Sequence, residues 1–292
     1  MENKQIPPQN KQVDGNIKRM NGAITSSKRF GISMYGSPDD YVEAAVLAKE
    51  AGDELLARLD WMTLQPKVIV DIGCGSGRMS SKLKERYPSS KVLAIDKAEN
   101  MIGYAKQQTA NHLLMFACAD GQNIPLRDHT VDLLFVNFLF PWLHDQNRVL
   151  REWQRILKPN GLLLLTALGP NTLKEWREIW DHALIPQLFD MHDIGDMLSQ
   201  QGFDDPVLEV NDYTVTYQHA EKFISELLIT AILDPQLLQL DLNLILEKKL
   251  SATFEVIFAH AFMPLEIGYQ TSDNSLTKIP LSHVRHALNK NK

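Results

Sequence analysis

The sequence predicts an α/β fold in which a parallel sheet has its strands joined by crossover helices. Three observations predict it. An apolar run at Lys67–Ile72 leads into GCGSG, three glycines in five residues. Short runs rich in Val, Ile and Leu then alternate with helical patterns as far as Ala167. Past Leu168 the alternation breaks, and helical segments precede two short strand candidates.

Taken in order, residues 1–40 are polar, carry Lys4, Lys11, Lys18, Arg19, Lys28 and Arg29, and show no sustained period, which predicts a basic, partly disordered arm. From Tyr41 to Leu59 the apolar positions Ala45, Leu47, Ala48, Leu55, Leu56 and Leu59 recur at helical spacing. Strands follow at Lys67–Ile72, Lys91–Ile95, Leu113–Cys118, Val131–Phe138 and Gly161–Ala167, separated by helices at Met79–Arg86, Glu99–Gln108 and Gln146–Leu157. Lys158-Pro159-Asn160-Gly161 reads as a turn into the last of these strands. Helices at Thr172–Leu184 and Met191–Gln201 lead to strands at Val207–Val210 and Tyr213–Tyr217. Two helices, His219–Leu233 and Gln236–Leu250, form an insertion at about 218–252 before a strand at Thr253–Phe262. The main domain therefore spans 41–292, and no internal repeat interrupts it.

Composition narrows the function classes. At 292 residues and 44% hydrophobic content the chain can bury a sizeable core. A net charge of −6 argues against a general nucleic-acid surface, which needs a positive stripe. Cys74 and Cys118 are too few for a disulfide framework and suit a reducing compartment. The opening MENKQIPPQNKQ has no apolar signal core. The longest greasy stretch, Val131–Leu143, contains Asp132, Asn137 and Pro141. The expectation is a cytoplasmic protein without membrane or nucleic-acid partners; its oligomeric state is not written in the sequence.

A glycine turn after a strand lets backbone approach a ligand closely, and the next helix offers its N-terminal N–H groups. A dinucleotide fingerprint would need a small residue at position 78, where Arg78 stands, and no Gly-Lys-Ser/Thr occurs for a phosphate loop. The pattern is instead Asp71-x-Gly73-x-Gly75-x-Gly77. An acid ahead of the turn would repel pyrophosphate but suits an ammonium group beside a positive sulfur. Asp96, ending the second strand, can accept from two ribose hydroxyls, and Asp120, after the third, from an adenine amino group; either could equally cap a helix or loop. The set implies S-adenosylmethionine. No HExxH or Cys–His spacing marks a metal site or a triad, and His144 and His192 read more readily as exposed or capping residues than as substrate contacts. Asn137, Phe138 and Trp142 follow the fourth strand, where a methyl acceptor would sit, with ordinary packing as the alternative for the two aromatics.

On these motifs the chain resembles the class I methyltransferases. That resemblance implies a Rossmann-like sheet, mostly parallel with the last strand antiparallel, and a helical insertion capping the site. It also implies that Asp71, Gly73, Gly75 and Gly77 hold the amino-acid part of the cofactor, Asp96 the ribose and Asp120 the adenine. The expected cofactor set also takes in Cys74, Lys97, Met101, Gly121 and Asn137. Segments LARLDWMTLQPKVIVDIGCGSGR, TALGPNTLKEW, MHDIGDMLSQQGFDDPVLEVNDYTVTY and FEVIFAHAF resemble the malonyl-acyl-carrier-protein O-methyltransferases of biotin synthesis. This narrower resemblance implies malonyl-acyl-carrier protein or malonyl-CoA as partner, and Tyr41 near the cofactor. An anionic acceptor suggests an Arg partner, for which Arg177 is the nearest candidate. An acidic carrier needs a positive face, for which Arg148, Arg151, Arg155 and Lys158 or the arm are candidates. In place of an Arg- and Gly-rich insertion the chain has LLITAILDPQLLQLDLNLILEKKLS, and ahead of Tyr41 it has Met34 and YGSPDD. A methyltransferase of another small or lipid-like acceptor shares every cofactor feature, and a non-catalytic assembly factor shares the fold.

Overall fold

A computed structural model describes residues 11–13, 37–109, 114–177, 188–230, 232 and 250–265. Most of the expected arm, the end of the helix expected at 172–184 and the helix expected at 236–250 lie outside the described residues. Eight strands, β1 Lys11–Val13, β2 Val68–Ile72, β3 Lys91–Asp96, β4 Leu114–Cys118, β5 Val131–Val136, β6 Leu157–Leu168, β7 Asp204–Thr216 and β8 Ser251–Phe262, form one sheet in the order β1-β7-β8-β6-β5-β2-β3-β4. β2 pairs parallel with β3 and β5, β5 with β6, and β3 with β4, while β8 runs antiparallel between β6 and β7. The antiparallel last strand and the parallel core are both as expected, and the strand ahead of the glycine turn is interior to the sheet.

Period-two alternation splits each central strand between two cores. On β5, Leu133 and Phe135 face one side while Leu134 and Val136 face the other; on β6, Leu162 and Leu164 oppose Leu163 and Leu165. The first face is covered by α2 (Val46–Ala57) and α3 (Arg78–Arg86), with Trp176 and Phe223 added. The second is covered by α5 (Gln146–Ile156) and α6 (Met191–Gln200). On α5 the buried residues Val149, Leu150, Trp153 and Ile156 fall on one helical stripe, and Asp145 caps the start by accepting from Arg148 N at 3.0 Å. α4 (Glu99–Gln108) follows β3, and α7 (Ala220–Ile229) opens the insertion. Among the described residues no helix is long and apolar enough to cross a membrane.

Four elements differ from expectation. The helix expected at 41–59 is two, α1 (Pro38–Ala44) and α2, meeting at Ala45 (ψ 45°) and followed by a 3-10 turn at Arg58–Trp61. α1 begins inside the stretch expected to be arm, because Ser37 and Asp40 form a reciprocal capping box and Pro38 stands at its first turn. Lys158–Gly161 is part of β6. The register slips there from Val131–Leu157 to Leu133–Leu162, and Asn160 takes a left-handed φ of 61°, so the residues form a bulge rather than a separate turn. The two strands expected at 207–210 and 213–217 are one, since Asn211 and Asp212 pair with Val256 and Glu255 of β8. Beyond Thr172 the expected helix is a 3-10 turn at Lys174–Trp176 as far as it is described.

Candidate active site

The C-terminal ends of β2, β3, β4, β5 and β6 bring their loops to one edge of the sheet, where open α/β sheets hold ligands. The glycine loop after β2 is pinned there. Gly73 N and Cys74 N both donate to Ile95 O, at 2.8 and 3.0 Å, and Gly75 N donates to Asp96 Oδ2 at 2.9 Å. Gly73, Gly75 and Gly77 all have positive φ (73°, 52° and 77°), a conformation that only glycine adopts without strain. A Cβ on Gly73 would come within 3.1 Å of Leu139, so the loop lies flush against the β5 turn.

Two adjoining hollows open on this loop and share Tyr41, Ala45, Ala48, Gly73, Gly75 and Asn137. The smaller holds Asp71, Cys74 and Arg78. The larger holds Asp96, Lys97, Met101, Asp120, Gly121 and Leu139 on one side. Its other side is apolar, walled by Phe138, Trp142, Leu168, Val215 and Phe254, with Tyr217, Glu226 and Thr230 as its polar groups. All the expected cofactor residues except Gly77 therefore meet around one cleft, with Tyr41 and Trp142. Gly77 does not line it. It precedes α3, and a Cβ there would stand 3.0 Å from Ala105 Cβ, so its task is to let α3 and α4 pack.

Asp71 is fully buried and accepts from Ser80 Oγ at 2.5 Å, with no cation beside it among the described residues. Burial, reinforced by the nearby Asp96 charge and opposed by the Ser80 hydrogen bond, pushes its carboxyl up to about 7. Such a group calls for a cationic ligand. Arg78, facing the same hollow, is held by Asp53 through 2.8 and 2.6 Å bonds, and Asp53 also takes Lys82 at 2.7 Å. These charges hold Asp53 below the usual carboxylate range against its own desolvation, the largest single influence. Asp96 also accepts from Ala98 N at 2.9 Å and so braces both loop and helix. Asp120 is exposed at the rim and accepts from Gln122 N at 2.9 Å, combining its capping role with a position on the cleft. The donor set fits S-adenosylmethionine: an unpaired buried acid for its ammonium, an arginine for its carboxylate, and acids with an apolar slot for its nucleoside.

At the β5 turn, Phe138 takes a left-handed φ of 53°. The conformation is held by Thr166, fully buried on β6, whose Oγ1 accepts from Phe138 N and donates to Asn137 Oδ1, both at 2.8 Å. Asn137 in turn donates from Nδ2 to Ala48 O of α2 at 2.8 Å, tying sheet, turn and helix together where the two hollows meet.

His144 is exposed, and His192 pairs with Asp190 at 2.7 Å on an exposed helix start; neither lines the cleft, as expected of both. Arg177 is half-buried and also outside it. Arg155 is taken by Glu152 of α5 and Asp128, each at 2.7 Å, and Lys158 by Asp132 of β5 at 2.8 Å. Only Arg148 and Arg151 of that expected face stand exposed. The sequence reading missed Arg78, Thr166, Tyr217, Glu226 and Thr230. Glu226 on α7 and Thr230 at its C-cap stand one helical turn apart, a spacing that could have signalled those two.

Residues 70–165 match the family model described as a methyltransferase domain. The malonyl-[acyl-carrier protein] O-methyltransferase of Methylovorus sp. is 34% identical over 250 residues, 77% of this chain and 84% of its own. That of Gallionella capsiferriformans is 31% identical over 271 residues, covering 84% and 93%. Among solved structures, the YcgJ protein from Bacillus subtilis aligns with a TM-score of 0.54 at 15% identity, over 73% of this chain and 98% of that one. The Haemonchus contortus phosphoethanolamine N-methyltransferase 2, in complex with S-adenosyl-L-methionine, aligns at 0.51 and 19%, over 81% and 61%. These two likenesses bear on the fold. With sequence relatives above 30% identity matched over 84% and 93% of their own length, the chain belongs to the malonyl-[acyl-carrier protein] O-methyltransferase family.

Proposed function

We propose that this protein transfers a methyl group from S-adenosylmethionine to the free carboxylate of malonyl-acyl-carrier protein or malonyl-CoA, a step of biotin synthesis in the cytoplasm. The observation that carries the reading is the extent of the relatives. At 34% and 31% identity they cover 77% and 84% of this chain and 84% and 93% of their own length, far more than the cofactor loops alone.

When bound, S-adenosylmethionine supplies an electrophilic methyl on sulfur. Asp71 and the glycine loop would hold its ammonium, Arg78 its carboxylate, and Asp96, Met101 and Asp120 its nucleoside, with Tyr41 over the loop. A carboxylate acceptor is already ionised at neutral pH, so no side chain has to remove a proton. The protein's work is then to orient the acceptor and to exclude water. The apolar wall of Phe138, Trp142, Leu168 and Phe254 does the second, and the Asn137–Thr166 bridge fixes the turn between the two subsites. α7, which opens the expected insertion at about 218–252, is read as cover for this cleft, and the exposed Arg148 and Arg151 as part of the carrier's docking face.

Expression in a biotin auxotroph lacking its own malonyl-carrier methyltransferase tests the reading. Growth without biotin supports it, and failure of a well-expressed, cofactor-binding protein to rescue contradicts it.

A further inference from the structure

The smaller hollow gathers charges of both signs. Asp71 lines it from the end of β2, Arg78 from the start of α3 and Lys49 from the first turn of α2. Arg78 brings little net charge to a ligand, because its fork is already filled: Nη1 and Nη2 donate to Asp53 at 2.8 and 2.6 Å. Lys49 is placed differently. Its Nζ donates to Val42 O of α1, a carbonyl that takes one of the three ammonium protons and leaves the charge in place. Its own backbone O accepts from Arg78 Nη1 at 3.4 Å, so the two cationic residues meet at the hollow where α2 and α3 touch.

We propose that Lys49 joins Arg78 in binding the carboxylate of S-adenosylmethionine and supplies most of the charge recognition there, so that the hollow reads a whole amino-acid zwitterion with Asp71 on the ammonium. Lys49 is then the residue by which the protein tells S-adenosylmethionine from adenosyl sulfonium compounds that lack the carboxylate.

The surroundings of Lys49 support a missing anion. Burial, followed by the Arg78 charge, holds its ammonium below the usual lysine range, against Glu43 of α1 and Glu226 of α7. Its position in the first turn of α2 adds the positive end of that helix's dipole. A carboxylate lodged beside both cations offsets the repulsion between them. The inference rests on the cofactor placement proposed above and is independent of the acceptor.

The test is calorimetric titration of the full-length protein with S-adenosylmethionine and with decarboxylated S-adenosylmethionine, which keeps the sulfonium and the ammonium and lacks the carboxylate. Wild type should prefer S-adenosylmethionine by about tenfold. Lys49→Met should bind S-adenosylmethionine about tenfold more weakly and the decarboxylated compound within about twofold of wild type, so that the preference disappears. Lys49→Gln, whose amide can still donate to Val42 O, should behave in the same way, and Lys49→Arg should keep the preference. Equal weakening of both ligands in the Met and Gln variants is the mark of a disturbed α1 and overturns the proposal. So does a preference that survives in both variants, or a wild type that binds the two compounds equally. Asp71→Asn tests the placement separately, since both compounds carry the ammonium and both should bind it more weakly. If it weakens neither, the amino-acid end lies elsewhere and the inference falls with the placement.

Discussion

Gly75 N donates to Asp96 Oδ2 at 2.9 Å, so the carboxylate that ends β3 also holds the loop that follows β2. Asp96 is thus part of the cleft's frame as well as the partner proposed for its ligand, and the two roles should fail together. Asp96→Ala is expected to lower affinity for S-adenosylmethionine at least tenfold and to lower the melting temperature of the ligand-free protein by a few degrees. Calorimetric titration and thermal unfolding measure the two effects.

The buried acid beneath the loop gives the site a pH dependence. With Asp71 titrating near 7, the ionised form that a cationic ligand prefers grows as pH rises, so affinity should increase from pH 6 to 8 and then level off. The ligand's ammonium titrates in the upper part of this range. The difference between wild type and Asp71→Asn is therefore the quantity to read. The variant should bind roughly ten- to a hundredfold more weakly at pH 8 and lack the rise between pH 6 and 7.

The same residue sets a stability trend in the ligand-free protein. Its folded value lies above the ordinary 3.8, so between about pH 4 and pH 7 the folded state binds more protons than the unfolded one, and stability falls as pH rises. Asp71→Asn removes the buried charge while keeping an acceptor for Ser80. It should melt higher than wild type at pH 8 and near it at pH 5.

Thr166 is expected to act through the β5 turn. Thr166→Val leaves Phe138 N and Asn137 Oδ1 without their partner and should cost about 1–3 kcal/mol in chemical denaturation. Thr166→Ser keeps the hydroxyl and should recover most of that loss. Because Asn137 lies between the two hollows, Thr166→Val should also lower kcat more than it weakens cofactor binding.

Much of this could be read in the residues. The apolar runs of β2, β5 and β6 are buried on both faces, and a strand of that kind announces itself without tertiary context. The glycine spacing, Asp71 and Asp96 pointed to loops that the structure brings together at one cleft. What stayed hidden depends on partners far along the chain. Nothing local at Ala45 breaks a helix, and no Gly or Pro marks the bend there. Asn211 and Asp212 look like a loop until the β8 ladder satisfies them. Arg78 meets Asp53 from 25 positions away, and Arg155 and Lys158 look free for a partner until Asp128, Glu152 and Asp132 take them. Glu226 reads as a solvated helix position because its burial is supplied by the cleft, not by its own helix.

Incubating the purified protein with malonyl-acyl-carrier protein and S-adenosylmethionine bearing a labelled methyl group tests the central claim most directly. Label should appear on the carrier as a methyl ester removable by mild base, with an equal amount of S-adenosylhomocysteine released. A protein that binds S-adenosylmethionine yet leaves the malonyl carboxylate unlabelled, on both carrier protein and coenzyme A, would contradict the account.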